Sequence, residues 1–222
     1  MARVRAMGPR YRTDHTMSEK IQPALAAIEY KSVPAGIYAA DALMKKSPIS
    51  LLKAGTIGQG RYLVLFTGTT ASVEEAHREG MFEGGMLVED DVLLPDVHGA
   101  LYDAVMGGAL AMGEGPILVV ETPSVSTCLA AVEKALKGVP VKLVELRLGD
   151  PRMDGKGLAI LQGDLYDVEA AQQLVAEAAE AKGVAAQYRV LSAPTAAILK
   201  GIASGTKFNK TATLELGGET AS

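Results

Sequence analysis

One cysteine, Cys128, and three histidines, at positions 15, 77 and 98, are all that this chain has for thiol chemistry and soft metal ligation. A single cysteine excludes an internal disulfide and fits a reducing compartment. Histidines that far apart, with no second histidine or cysteine near His98, give no ligand set of metal-binding spacing. No apolar run reaches the roughly 18 to 20 residues of a membrane span. Residues 1–16 carry Arg3, Arg5, Arg10 and Arg12 with no apolar run after them, which is not the pattern of a secretory signal. That start reads as a flexible extension over 1–23, with Met17 as an alternative first residue. A net charge of −4 on 222 residues argues against nucleic acid as the main partner.

The strict nucleotide and hydrolase motifs are missing too. Gly55, Gly58 and Gly60 fall close together in KAGTIGQGR (53–61), directly after the apolar run ISLL. A P-loop would end in Gly-Lys-Ser/Thr, and here Arg61-Tyr62 follows. A dinucleotide fingerprint would open a helix, whereas RYLVLFTG reads as a strand. The glycines therefore sit between two strands, where a plain hairpin loop is the simplest reading. No Gly-x-Ser-x-Gly elbow and no His-Glu-x-x-His occurs.

What the chain does have is an internal repeat. IEYKSVPAGIYAADALMKKSPI (28–49) lies over VETPSVSTCLAAVEKALKGVPV (120–141) at an offset of 92 without a gap. Glu29 meets Glu121, Ser32 meets Ser124, Lys45 meets Lys137 and Pro48 meets Pro140. Val33, Ile37, Ala40 and Met44 form one helical stripe, repeated by Val125, Leu129, Val132 and Leu136. Ser32 and Ser124 are expected N-caps, and the two prolines expected stops. YLVLFTGTTASVEEA (62–76) then pairs with GLAILQGDLYDVEAA (157–171) at 95, so the second copy has three extra residues in RLGDPRMDGKG (147–157). VLLPDVHGALYDAV (92–105) loosely matches VLSAPTAAILKGI at 99, with Pro95 over Pro194. Each copy reads strand, helix, strand, loop, strand, helix, strand, short helix. The fold class is α/β: two similar domains, 24–110 and 115–203, joined by the glycine-rich GGALAMGEGP, with a tail over 204–222 in which TATLEL is a candidate edge strand.

Few residues look like a reaction centre. Glu29 and Glu121 end strands just before helices, where active-site acids occur, although a carboxylate near a helix N-terminus is also a structural asset. His98 reads as a structural contact, His77 as a solvated helix residue, Asp90-Asp91 as a solvated turn, and Cys128 as a small buried apolar residue. No nucleophile, base and orienting group assemble.

This ordered series, seen twice, resembles the bacterial microcompartment (BMC) shell domain. The family places a Glu-ended strand before a helix bearing an acid and a lysine four residues on, as Asp41 and Lys45 are and again Glu133 and Lys137. A glycine-bearing loop between strands follows, then a Pro-x-x-His-like element, Pro95 to His98, whose histidine the second copy lacks. The resemblance covers about residues 24–202. It implies the tandem, trimer-forming type in unpermuted order: a homotrimeric pseudohexamer that serves as a shell tile rather than an enzyme, beside hexameric and pentameric tiles of a shell in the cytoplasm. It also implies a central pore for small metabolites. Its lining would be Gly55, Thr56, Ile57, Gly58, Gln59, Gly60 and Arg61 from the first copy, with Asp150, Arg152, Met153, Asp154, Gly155 and Lys156 from the second. Arg61 and Lys156, equivalent at the offset of 95, would supply six cations around the opening. Asp41, Lys45, Glu133, Lys137 and His98 would lie at tile edges. Some tandem members hold an iron–sulfur cluster on a loop cysteine; neither loop here has one, and no cofactor is expected. A small-molecule-binding or sensing oligomer of duplicated α/β domains is the alternative.

Overall fold

A computed structural model describes residues 23–108 and 110–207; the arginine-rich start and TATLEL lie outside the described residues. The first copy runs β1 (Ala24–Tyr30), α1 (Val33–Lys46), β2 (Leu51–Thr56), β3 (Tyr62–Gly68), α2 (Thr70–Gly84), β4 (Val88–Leu94) and α3 (Gly99–Val105). The second repeats it as β5 (Ile117–Thr122), α4 (Val125–Gly138), β6 (Lys142–Arg147), β7 (Gly157–Gln162), α5 (Leu165–Ala181), β8 (Gln187–Leu191) and α6 (Ala196–Ala203). This is the order expected from the repeat. The sheets are β2-β3-β1-β4 and β6-β7-β5-β8, antiparallel throughout.

The helix boundaries follow from the caps. Ser124 Oγ accepts from the Thr127 amide at 3.1 Å and Ser32 Oγ from the Ala35 amide at 3.5 Å, so first-turn amides that lack a helical partner gain one. Lys45 and Lys46 close α1, and Lys137 lies in the last turn of α4, the signs that the helix dipole favours.

The ladders correct one alignment. Leu25 pairs with Leu94 and Ile117 with Leu191, so beyond the second helix the offset is 97, not 99. Helix α5 has 17 residues against 15 in α2, which adds the two residues to 95. Pro194 therefore stands over Val97 rather than Pro95, and the caps His98 and Thr195 coincide.

The central strand β1 is buried along its whole length. Ala24, Ala26, Ile28 and Tyr30 point under α1 and α2. The alternate residues Leu25 and Ala27 point the other way and join Val97 and Leu101 in a core that continues through Leu118, Val125, Leu129 and Leu136 of the second copy. The two copies thus share one apolar core, and each large side chain in it contributes about 1.5–3 kcal/mol of burial.

Paired exchanges of volume keep both copies close-packed. In the first copy the large Tyr30 lies beneath Gly80 and Gly84; a Cβ on Gly84 would come within 2.5 Å of the Tyr30 ring, and the phenol donates to the Gly80 carbonyl at 3.0 Å. In the second, Thr122 takes the tyrosine's place, while the buried Val175 and Ala179 take those of the glycines. Gly36 likewise leaves room for Tyr62, and their equivalents are Cys128 and Gly157. A Cβ on Gly157 would stand 2.3 Å from Cys128 Cβ. Gly157→Ala is therefore expected to lower stability by about 1–3 kcal/mol, the usual cost of overpacking. Urea unfolding measures it, and an unchanged midpoint would show that β7 moves away freely.

Candidate functional site at the seam between the two copies

Two loops meet at one end of the seam. The first leaves β2 at Thr56 and closes on itself, the Ile57 amide donating to the Arg61 carbonyl at 2.9 Å. Its tip, Gln59 and Gly60, is left-handed, with φ of 62° and 72°, and exposed. In the second loop Asp150 accepts from Arg147 at 2.6 Å and from the Arg152 amide at 3.1 Å, and Lys207 stands 3.5 Å away. These partners, Arg147 first, hold its carboxyl down at about 2. Arg152 and Asp154 are exposed, Met153 is half-buried, and Asp154 and Gly155 are left-handed, at 51° and 76°.

The loops are packed on each other. A Cβ on Gly58 would stand 2.3 Å from Asp154 Cα, and one on Gly149 would stand 2.7 Å from the Ile57 side chain. Gly58 is thus a place where backbone meets backbone and Gly149 one where backbone meets a side chain, and no phosphate cradle is needed to explain either.

Arg61 is not where a ring of free cations requires it. Only 8% exposed, it pairs with Glu29 at 3.3 Å and donates to the Asp154 carbonyl at 2.6 Å. It stands where the chain re-enters the sheet, beside a fully buried carboxylate that needs a counter-charge. Lys156 remains exposed but pairs with Glu121 at 2.8 Å, and this bond raises its pKa. Among the described residues, the cation at the loop tips with no such carboxylate partner is Arg152, next to Asp154.

The seam itself is a polar lock that crosses the copies. Glu29 Oε1 accepts from the Ser126 amide, in the first turn of α4, at 2.7 Å. Burial raises the Glu29 carboxyl to about 7, against the opposing pull of that amide and of Arg61. Asp90 accepts from Thr127 Oγ1 at 2.8 Å and from Ser124 Oγ, and pairs at 2.8 Å with Lys182, which caps the C-terminus of α5. Asp91 meets His77 Nε2 at 2.8 Å, which lowers its pKa. The readings of Asp90-Asp91 as a solvated turn and of His77 as a solvated residue are thus corrected: both acids lie in β4, which faces the second copy. At the far end of the seam both Glu133 oxygens accept from the His98 amide, at 3.0 and 3.1 Å, and Lys137 bonds the Asp96 carbonyl and Glu133. Three of the five expected edge residues meet here. The other two, Asp41 and Lys45, pair with each other on the open surface of α1. His98 caps α3, its Nδ1 accepting from the Ala100 amide at 3.2 Å. Cys128 is fully buried and its thiol is pushed up to about 12 by burial, so it packs rather than reacts. Among the described residues no group of three or more His, Cys, Asp or Glu is placed to hold a metal.

The sequence reading singled out Glu29 but missed its partner. The signal was available: an acid at the end of the wholly apolar ALAAI is buried with its strand and must take donors from other elements.

The BMC domain model matches residues 24–95 and again 117–194, and the chain belongs to that family, among its tandem-domain shell proteins. It is 29% identical over 171 residues to the bacterial microcompartment shell protein PduT of Citrobacter freundii, covering 77% of this chain and 92% of that one. A microcompartment protein from Desulfitobacterium hafniense superposes with a TM-score of 0.69 at 29% identity, over 80% of this chain and 98% of the other. A fused permuted hexameric shell protein of the RMM microcompartment shares the fold, with a TM-score of 0.51 at 20% identity, over 73% and 86% of the two chains.

The buried Glu29 sets a pH dependence. Its folded-state value of about 7 lies above the ordinary 4.5, so the folded chain holds a proton that the unfolded chain releases. Its contribution is most favourable below pH 4.5 and declines as pH rises to about 7, by roughly 3 kcal/mol from linkage. Glu29→Gln is expected to remove that decline from urea midpoints measured across this range. An identical slope in the variant would show that another group titrates.

Proposed function

We propose that this chain is a shell tile of a bacterial microcompartment in which three copies close into a ring of six BMC domains around a pore for small metabolites. The observation that carries the reading is the tandem BMC match together with two unlike loops already packed against each other at one end of the seam. Three chains would bring three such pairs to one axis. Gln59, Gly60, Arg152, Met153 and Asp154 would form the constriction, because Ile57, Gly58, Arg61 and Gly155 are turned inward. Gly55, Thr56 and Asp150 would stand behind it, and the Lys156–Glu121 pair at its margin. Lys45 and Lys137, with Asp41, Glu133 and His98, would mark where the seams reach the tile edge and meet neighbouring shell proteins; a lysine's long stem suits such an edge.

For the alternative of a sensing oligomer there is an open hollow of about 630 Å³ at the linker, lined by Lys142, Gln162, Asp164 and Asp167, and a cleft of about 300 Å³ behind the loops. The lining of the cleft behind the loops is largely apolar, with Lys53 and Thr56 as its polar side chains, a thin set for selective capture of a metabolite.

Light scattering is expected to give about 69 kDa, three times the chain mass of 23.1 kDa; a monomer at micromolar concentration ends the tile reading. With Arg61 neutralised, charge selection would rest on Arg152. Arg152→Glu in closed shells is expected to slow the flux of a small anion several-fold, less so at high salt. Equal flux in the variant would remove Arg152 from the pore.

A further inference from the structure

Helices α1 and α4 have equivalent faces in opposite situations. On α4 the face Ser126, Leu129, Glu133 and Leu136 is buried, covered by β4 and the turn into α3 of the first copy. The same face of α1 is Pro34, Ile37, Asp41 and Met44, and it is open: Ile37 is 53% and Met44 46% exposed. The edge that would cover it is open too. Leu101 of α3 is buried in the seam, while its equivalent in α6, Ile198, is 50% exposed. One chain therefore carries both halves of a second seam, at opposite ends, and each half lacks its mate. A head-to-tail surface of this kind is satisfied by another copy.

The second seam differs in chemistry from the first. Glu121 stands in the place of Glu29, but Pro34 stands in that of Ser126 and has no amide hydrogen to give. Gln187 replaces Asp90, Ala35 replaces Thr127, and Gly85, the cap of α2, replaces Lys182, the cap of α5. The polar lock has lost its charged acceptor, a hydroxyl, a cation and a backbone donor. What remains of the pattern is the outer clamp: Asp41 toward the Thr195 amide and Lys45 toward the Ala193 carbonyl, in the manner of Glu133, His98, Lys137 and Asp96.

We propose that the open face of α1 takes the β8–α6 edge of a second copy of this chain in a seam closed by Ile37, Met44 and Ile198, with Glu121 left without a backbone donor by Pro34. The ring then alternates strong seams inside chains with weaker, mainly apolar seams between them, and the weaker ones are where copies join and part. This rests on the ring reading above and adds which residues close it and why that junction is the looser one.

Four variants test it, using the whole chain. Ile37→Asp and, separately, Ile198→Asp put a charge on residues exposed in the single chain. Each is expected to give a folded monomer, with unchanged circular dichroism, by light scattering at micromolar concentration. Pro34→Ser returns the missing donor and is expected to slow subunit exchange between fluorescently labelled oligomers about tenfold, the weight of a hydrogen bond to a charged group. Adding Glu121→Gln to Pro34→Ser is expected to restore most of the wild-type exchange rate. A monomeric wild type defeats the ring reading itself. A trimeric wild type whose Ile37→Asp and Ile198→Asp variants also stay trimeric defeats this seam alone. Exchange unaltered by Pro34→Ser defeats the role given to Pro34.

Discussion

A carboxylate sealed away from water at the end of the central strand must be given donors, and Glu29 finds one in its own copy and the other by reaching into the second. The Ser126 amide at 2.7 Å and the Arg61 guanidinium at 3.3 Å together offset the removal of a charge from solvent. Arg61 in turn binds the Asp154 carbonyl, so the acid that locks the copies also fixes both loops. Removing either partner would leave a buried charge alone, which costs more than the pair contributes. That asymmetry makes the node a source of defined geometry more than of stability.

The shared core explains why such a node can exist. Because Leu25 and Ala27 face the second copy while Ile28 and Tyr30 face their own helices, β1 is covered on both sides and excludes water from its end. A duplicated pair joined only by a linker would have left Glu29 wet and its seam mobile. Here the position of the loops is set by strands on both sides of the seam, so loop geometry and the packing of the copies are one problem.

Much of this was legible in the residues, for reasons that can be given. The stripe of Val33, Ile37, Ala40 and Met44 and the Ser32 cap announce a helix because their spacing has a single periodicity, and the same spacing at Val125 announces it again. The offset of 92 then 95 located the extra residues of the second loop correctly. The step to 97 was misread as 99 because two prolines invited a match, while the added residues lie in α5, where one solvated turn resembles the next. Arg61 was read as a free cation because charge in a glycine-rich loop normally faces water; only the burial of Glu29, a property of the assembled sheets, draws it inward. Asp90 and His77 were hidden in the same way, since their partners lie in other elements that no local spacing reveals.

The differences between the copies are as orderly as their similarities. Tyr30 beneath Gly80 and Gly84 becomes Thr122 beneath Val175 and Ala179, and Gly36 against Tyr62 becomes Cys128 against Gly157. Each exchange moves volume from one element to its neighbour and leaves the packing full, so the interiors drifted together as pairs. The faces of α1 and α4 did not stay equivalent in this way. Ser126, Thr127 and Asp90 have the chemistry of a junction that is never opened, because the chain itself joins its two sides. Pro34, Ala35 and Gln187, at the equivalent places, have no such guarantee and carry no lock. A junction between separate chains must form from solvated parts, and buried charge that loses its water before it meets its partner would oppose that step. Apolar closure with an ion pair held at the margin, as Glu121 and Lys156 are, avoids the obstacle.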